Sequence, residues 1–432
     1  MALLPTFPDA AQRRERLRQA RERLDARFRV PHQVLGQRFP MGCVALEITQ
    51  RCNLDCTLCY LSENSERTKD VPLEAVMRRL EQIREAYGCG MAVQITGGDP
   101  TLRKRPELVA IVRRATELGL EPALFTNGIL AHRDLLQELA AAGLCDVAFH
   151  VDMTQERKGF ASEESLNAVR QEYIERARGL GLAVIFNTTV HDGNFHEIPA
   201  LVRFFKKHAD VVGMASFQMQ AVTGRGELTD RTDTITVKNV RRKISEGAGI
   251  DIRWDNVMVG HPECNSVAFT VVTGGRSVNI HETPDFFAMV LKELEDVYLP
   301  RANPVKTGLR TAAGVLLTRP RLAAAGLVHV AKILGRNFGT FLRGGFVVRK
   351  QTYFIHNFMD AEHLVGERCT NCVFRVATGE HGFVSMCVHN AQRDRFILTP
   401  VPVSTPHGMR RFDPLSGELL PLAASAPAAA AP

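Results

Sequence analysis

The chain of 432 residues reads as an α/β protein built on a parallel sheet. Three observations predict this. Short β-rich runs recur between residues 44 and 218, segments of helical period separate them, and polar residues able to do chemistry gather just after the runs. Strands that alternate with helices pair in parallel, because each helix carries the chain back to the end where the next strand starts. Taken alone, the pattern fits either an open doubly wound sheet or a barrel.

In chain order, residues 11–29 are dense in Arg and Glu, with Leu17, Leu24 and Phe28 roughly on one stripe, which predicts an exposed N-terminal helix. Val44, Leu46 and Ile48 alternate with Ala45, Glu47 and Thr49 as a first strand. Leu73, Val76, Met77, Leu80 and Ile83 recur at helical spacing behind Pro72, so a helix is expected over 72–87. Further strands are expected at 91–96, 121–126, 146–151, 183–190 and 211–218, with helices at 106–118, 134–142, 164–180 and 197–208 between them.

The first strand runs into Cys52, Cys56 and Cys59, a CxxxCxxC loop with Tyr60 directly behind it. Structural zinc takes a closed set of four ligands, commonly from paired CxxC knuckles. These three cysteines stand alone. A [4Fe-4S] cube held by three thiolates keeps one iron open, where an outside molecule can coordinate and receive an electron. About forty residues on, after the second expected strand, comes Gly97-Gly98-Asp99-Pro100. Glycines let backbone approach a ligand closely, and a carboxylate pairs with an ammonium.

The cysteine spacing, the aromatic residue behind it and the GGDP tetrapeptide together resemble the radical S-adenosylmethionine (radical SAM) superfamily over roughly residues 42–230. The resemblance implies a partial (β/α)6 barrel with ligands on loops at the C-terminal ends of the strands. It implies that Cys52, Cys56 and Cys59 hold the cluster, that SAM binds the open iron, and that Gly97, Gly98, Asp99 and Pro100 meet the SAM amino group. Reductive cleavage of SAM then yields a 5'-deoxyadenosyl radical that abstracts hydrogen from an inert carbon. Among the polar strand ends, Asn127 and Asn187 are candidates for the ribose or adenine, and Arg225 for a bidentate fork on the SAM carboxylate. The competing reading is turn chemistry for Asn127-Gly128 and a surface charge for Arg225. His150 is a candidate proton carrier, with a packed, hydrogen-bonded histidine as its alternative.

Beyond the barrel, Cys264 in His261-Pro262-Glu263-Cys264 is followed by Cys369, Cys372 and Cys387. Four thiolates close a second [4Fe-4S] cluster, a rubredoxin-like iron or a structural zinc, with His261, His381 and His389 in reserve. Cys43, Cys89 and Cys145 are expected to act as small buried hydrophobes. This tail resembles the radical SAM branch containing archaeal tetraether lipid synthase and pterin-modifying methyltransferases. It lacks the second CxxxCxxC of the classical methyltransferases, and Val257 to Gly260 stand where the branch often has a further cysteine.

The formal net charge of +7 is concentrated: residues 301–350 hold ten Lys or Arg and no Asp or Glu. Interleaved apolar runs make this segment similar to helices that lie on anionic lipid surfaces, the alternative being a helical lid with a solvated basic face. Few aromatics accompany the cations, so no nucleic-acid partner is expected. No hydrophobic signal follows Met1 and no eighteen-residue apolar run occurs, so the expected location is cytoplasmic, peripheral at the inner face of a membrane.

The expected organisation is a basic helical extension (1–40), the barrel (41–235), a connecting region contributing Cys264 (236–300), the basic amphipathic segment (301–350), a C-terminal cysteine-containing metal module (351–415) and a disordered tail (416–432). The expected activity is radical functionalisation of an unactivated carbon, foremost of a lipid, with a flavodoxin- or ferredoxin-like donor of one electron. The alternatives are a soluble pterin or peptide substrate and, in another class, an iron-sulfur electron carrier or structural protein without turnover.

Overall fold

The computed structural model describes residues 4–228, 231, 234–301 and 304–422. Six parallel strands come first: β1 (Cys43–Thr49), β2 (Ala92–Gly97), β3 (Glu121–Thr126), β4 (Asp146–His150), β5 (Ala183–Val190) and β6 (Val212–Met219). Each pairs with the next in sequence order. Helix α1 (Ala10–Arg23) precedes them, and α2 (Leu73–Tyr87), α3 (Arg105–Glu117), α4 (Arg133–Ala141), α5 (Asn167–Ala177) and α6 (Ile198–Lys207) make the crossovers.

The outward residues of the strands build the core. Val44, Leu46 and Ile48 of β1 are fully buried against Val76, Leu80 and Ile83 of α2, each such side chain contributing about 1.5–3 kcal/mol. The inward face is different. On β2, Val93 and Ile95 are buried while Ala92, Gln94 and Thr96 are only half-buried, and Phe125, Ile185, Met214 and Ser216 repeat that partial exposure on neighbouring strands. Residues inside the curve are thus more accessible than those under the helices.

The chain then adds α7 (Val237–Ala248), β7 (Asn265–Thr273), β8 (Arg276–Asn279), α8 (Pro284–Glu293), α9 (Pro304–Thr318), α10 (Pro320–Arg343), β9 (Arg349–Asn357), α11 (Gly366–Thr370), β10 (Phe374–Ala377), β11 (Phe383–Ser385), α12 (Met386–Ala391) and α13 (Arg393–Ile397). The C-terminal part is not a detached module. β9 extends the sheet parallel to β6, β7 and β8 follow it, and β10 pairs in parallel with β1, giving one sheet of 11 strands among the described residues. It is open, yet curled enough that Phe354 of β9 meets Phe374 of β10, ring centroids 5.9 Å apart, with the six first strands between them in the order.

Two further expectations are corrected. The N-terminal helix α1 is docked rather than exposed: Arg13, Leu17 and Ala20 are buried, and Arg16 donates to Glu85 O at 2.9 Å. The tail is ordered beyond residue 416, because β14 (Leu419–Leu420) pairs with β13 (Gly408–Phe412), itself paired with β12 (Val401–Thr405). Residues 423–432 of the expected tail lie outside the described residues.

The basic segment forms α9 and α10. Its first residue, Arg301, is ion-paired with Asp146 at the start of β4, its last residues start β9, and Gly344 packs on Gly274 in the turn after β7. All three places are at the N-terminal ends of the parallel strands, or level with them. A lid over the cysteine loop is thereby excluded, since that loop leaves the opposite ends.

Candidate active site

The loop after β1 alternates exposed Arg51, Asn53, Asp55 and Thr57 with half-buried Cys52, Leu54, Cys56 and Leu58, so the cysteines turn one way, toward the protein. Several contacts hold it there. Thr57 N donates to Thr154 O at 3.0 Å, and Gly224, at φ +56, lies so close to Tyr60 that a Cβ would sit 2.6 Å from the Tyr60 carbonyl. Burial raises the pKa of all three thiols, and the neighbouring Cys59 raises those of Cys52 and Cys56 further. Three thiolates gathered this way repel one another until cationic iron neutralises them. Among the described residues, no three His, Cys, Asp or Glu side chains converge on a single ion. A cube spreads its ligands over separate irons, so this donor set fits the cluster that the cysteine spacing implies.

The GGDP turn closes on this loop through its backbone. Gly98 N donates to Thr49 O at 3.0 Å and Asp99 N to Arg51 O at 2.8 Å. Added Cβ atoms would lie 1.9 Å from Thr49 O at Gly97 and 2.0 Å from Arg51 O at Gly98, so only glycine fits. Tyr60 Oη donates to Gly97 O at 2.8 Å, tying the residue behind the third cysteine to the same turn. Asp99, expected opposite an ammonium, faces inward. It is 1 % exposed and accepts from Thr101 N, Thr126 Oγ1 and Asn127 N. Pro100 begins the short turn that Asp99 caps.

Arg225 and Asn127 are likewise committed within the protein. Both Nη atoms of Arg225 meet carboxylates, Nη1 on Asp55 and Nη2 on Glu66 at 2.7 Å, so the guanidinium clamps the cysteine loop. Asn127 Nδ2 donates to Asn53 Oδ1 at 2.6 Å and lies 3.9 Å from Cys52 Sγ. Asn187 differs: it is buried in the second half of β5 and its Oδ1 has no hydrogen-bond partner among the described residues.

His150 ends β4 beside Asn187, its register partner. Its Nε2 lies 2.6 Å from Asp152 Oδ2 and 3.3 Å from Thr189 Oγ1. Burial pushes the imidazole pKa down, but the Asp152 charge outweighs it and the net shift is upward. Asp152 is fully buried and accepts from Thr154 N and Thr189 N, which with His150 holds its carboxyl well below the usual carboxylate range. The arrangement is a half-exposed imidazole oriented by an anchored carboxylate, able to hold a proton at Nε2.

Two side chains at this site carried no sequence signal. Arg157 donates to Asn127 O at 2.8 Å and to Tyr173 Oη at 2.9 Å. Arg393 arrives from α13 onto Glu47 and lies 4.9 Å from the Tyr60 ring.

Of the remote cysteines, Cys264, Cys372 and Cys387 have thiols raised by burial, with a smaller rise from Cys369 on the first and from Cys264 on the other two; among the described residues no three of these side chains converge on one ion. Arg368 Nε donates to Cys264 Sγ at 3.3 Å and Met359 N to Cys387 Sγ at 3.4 Å. The reserve histidines lie elsewhere: His261 Nε2 is 3.4 Å from Glu367, while His381 and His389 pack on Phe396. Cys43 is buried as expected; Cys89 and Cys145 are half-buried, donating to Gly119 O and Gly143 O.

A curled parallel sheet with a three-cysteine loop and a GGDP turn at the C-terminal ends of its first two strands defines a cluster-dependent radical enzyme. Residues 46–205 match the Radical SAM superfamily, which makes this part of the chain a radical SAM domain. It is 24% identical over 388 residues to the 7,8-dihydro-6-hydroxymethylpterin dimethyltransferase of Methanocaldococcus jannaschii, covering 80% of this chain and 76% of that protein. It is 33% identical over 163 residues to the PqqA peptide cyclase of Bradyrhizobium diazoefficiens, covering 37% of this chain and 42% of that one. Among solved structures it is similar to Streptococcus suis SuiB bound to precursor peptide SuiA (TM-score 0.39, 18% identity, 49% of this chain and 48% of that chain). It is also similar to anSMEcpe with bound AdoMet (TM-score 0.36, 13% identity, 48% and 59%).

Proposed function

We propose that this enzyme uses a [4Fe-4S] cluster on Cys52, Cys56 and Cys59 to cleave SAM reductively and functionalise an unactivated carbon of a substrate with an apolar chain, foremost a lipid. When bound, the cluster and SAM supply one electron and a 5'-deoxyadenosyl radical, needed because an aliphatic C–H offers no acidic proton to a general base. The chain's own residues do the rest. The backbone of Gly97 and Gly98 brings the SAM side within reach, Asn187 Oδ1 offers an open acceptor, and Arg225 and Tyr60 hold the loop. His150 keeps a proton at Nε2 under the control of Asp152.

The observation that carries the substrate reading is the half-buried apolar wall formed by Phe125, Ile185 and Met214, one layer below the polar row of His150, Asn187 and Ser216. A second reading, a soluble pterin or peptide, is favoured by the relatives. It is also favoured by a cleft of about 240 Å³ where His191, Gln220, Arg231 and Asn357 supply polar groups at the ends of β5, β6 and β9. The four C-terminal cysteines are proposed to hold an auxiliary iron-sulfur cluster. A soluble flavodoxin- or ferredoxin-like protein is proposed as reductant, and the inner face of a membrane as the enzyme's location.

Anaerobic reconstitution followed by reduction in the presence of SAM is expected to release 5'-deoxyadenosine, and Cys52→Ala, Cys56→Ala or Cys59→Ala is expected to abolish it. An intact cluster without this product overturns the reaction. Lipid and metabolite profiling of a deletion strain then separates the lipid from the pterin or peptide substrate.

A further inference from the structure

The described residues include eighteen large hydrophobic side chains exposed to solvent, and eleven of them fall between Leu309 and Val348. This concentration coincides with the stretch that contains no acidic residue. On α10 the two properties are sorted by face. Before the kink at Asn337, at 3.6 residues per turn, Leu327, Val328, Val330 and Ala331 share one exposed sector, and Arg321, Lys332 and Arg336 share the next. The remaining sector, Leu322 and Ile333, is buried; beyond the kink Phe341 is buried too, packed with Ile333 against Val278 of β8, while Phe338 and Leu342 are exposed.

A helix that served only to cover the barrel needs the buried sector and a polar outside. This one carries a second apolar face. On α9, Leu309 and Leu316 are exposed at helical spacing beside it. After α10, Phe346 is held at φ +58, a backbone region that bulky residues avoid, in an exposed run of Phe346, Val347 and Val348. No helix among the described residues is long and apolar enough to cross a membrane.

We propose that α9, α10 and the Phe346–Val348 turn form a platform that docks on an anionic lipid bilayer. The exposed apolar sector enters the interface and the cationic sector lies at headgroup level. The proposal rests on the peripheral location given above and adds its surface and orientation. Charge complementarity selects the occupant: an apolar sector beside an all-cationic one matches acyl chains under acidic headgroups, whereas a second copy of the same platform would oppose like charges. Because the segment is tied to the N-terminal ends of the strands through Arg301–Asp146 and Gly344 on Gly274, the cysteine loop faces away from the bilayer. SAM and a soluble electron donor then reach it from the aqueous side.

The test is flotation of the full-length reconstituted enzyme with phosphatidylglycerol-containing vesicles and with pure phosphatidylcholine vesicles. It is run for the native chain and for Leu327→Glu/Phe338→Glu/Leu342→Glu. The native chain is expected to bind the anionic vesicles at least tenfold more strongly, and more weakly as salt rises. The triple variant is expected to lose at least tenfold in binding while keeping its cluster absorbance. Hydrogen exchange on the unaltered enzyme gives a second readout, with slowed exchange over 304–348 expected on adding anionic vesicles. Binding that survives the triple variant, with no slowing over 304–348, overturns the platform but leaves the peripheral location standing. No binding by the native chain overturns both. A native dimer that the triple variant converts to a monomer, without vesicle binding, makes the platform a self-association surface and also overturns the proposal.

Discussion

Arg393 of α13 and Glu47 of β1 form a buried ion pair, Nη2 to Oε1 at 2.6 Å, joining the last helix of the chain to the strand that feeds the cysteine loop. The same Nη2 donates to Gln50 Oε1 at 2.8 Å, and the guanidinium lies over the Tyr60 ring. Removing one partner strands the other charge in the interior, at a cost of about 3–5 kcal/mol. Arg393→Met is therefore expected to lower the melting temperature sharply and to alter the electron paramagnetic resonance signal of the reduced cluster. Arg393→Met/Glu47→Leu is expected to recover much of the lost stability, and failure to do so counts against the pair as the cause.

Acid should act through the same pair. Burial alone would raise the Glu47 pKa, but Arg393 and His389 outweigh it and hold the carboxyl at about 2. A depressed carboxylate stabilises the fold above its unfolded value of about 4.5, and that contribution disappears as pH falls toward 2. Glu47→Gln is expected to flatten the stability profile between about pH 4.5 and 2 in denaturant titrations.

His150 titrates above the ordinary histidine value because Asp152 faces it. The stability this adds is complete below about pH 6.5 and is lost as pH rises through the raised value. Asp152→Asn removes the attraction and leaves burial, so the His150 pKa is expected to fall below 6.5, as read by NMR titration of the ring protons. An unchanged value would show that Asp152 does not set it.

Gly98→Ala puts a Cβ 2.0 Å from Arg51 O, where backbone must move. The variant is expected to bind substoichiometric iron or to fail to fold, whereas Gly366→Ala, with open space around it, is expected to be neutral.

Iron analysis tests the second cysteine set. Full reconstitution is expected to give about eight irons per chain, and Cys264→Ser with Cys387→Ser about four, with 5'-deoxyadenosine formation retained. Eight irons in the double variant would exclude those ligands.

Local signals were the legible ones. β5 spans Ala183–Val190, the expected 183–190, because period and breakers are written in neighbouring residues. The cysteine loop and Gly97-Gly98 were equally readable, since their spacing is set by the reach of a short chain. For Asp99 and Arg225 the sequence showed a residue type without its partners inside the fold. Their residue types suit SAM, but Thr126 and Asn127 in one case, and Asp55 and Glu66 in the other, engage them across the fold. A side chain's type says what it can bind; only its neighbours say what it does bind.

The sequence by itself determined the alternation of strand and helix, the three-thiolate loop, the glycines that must lie against it and the one-sided charge of residues 301–350. Each follows from spacing or composition over a few tens of residues. Tertiary structure decided that Arg393 braces Glu47, that β9 and β10 extend the sheet on both sides of the first six strands, and that α9 and α10 lie at the end of the barrel remote from the cysteines of the β1 loop. Those relationships join residues far apart in the chain, and their free energy comes from burial and charge pairing that arise only once the sheet has curled.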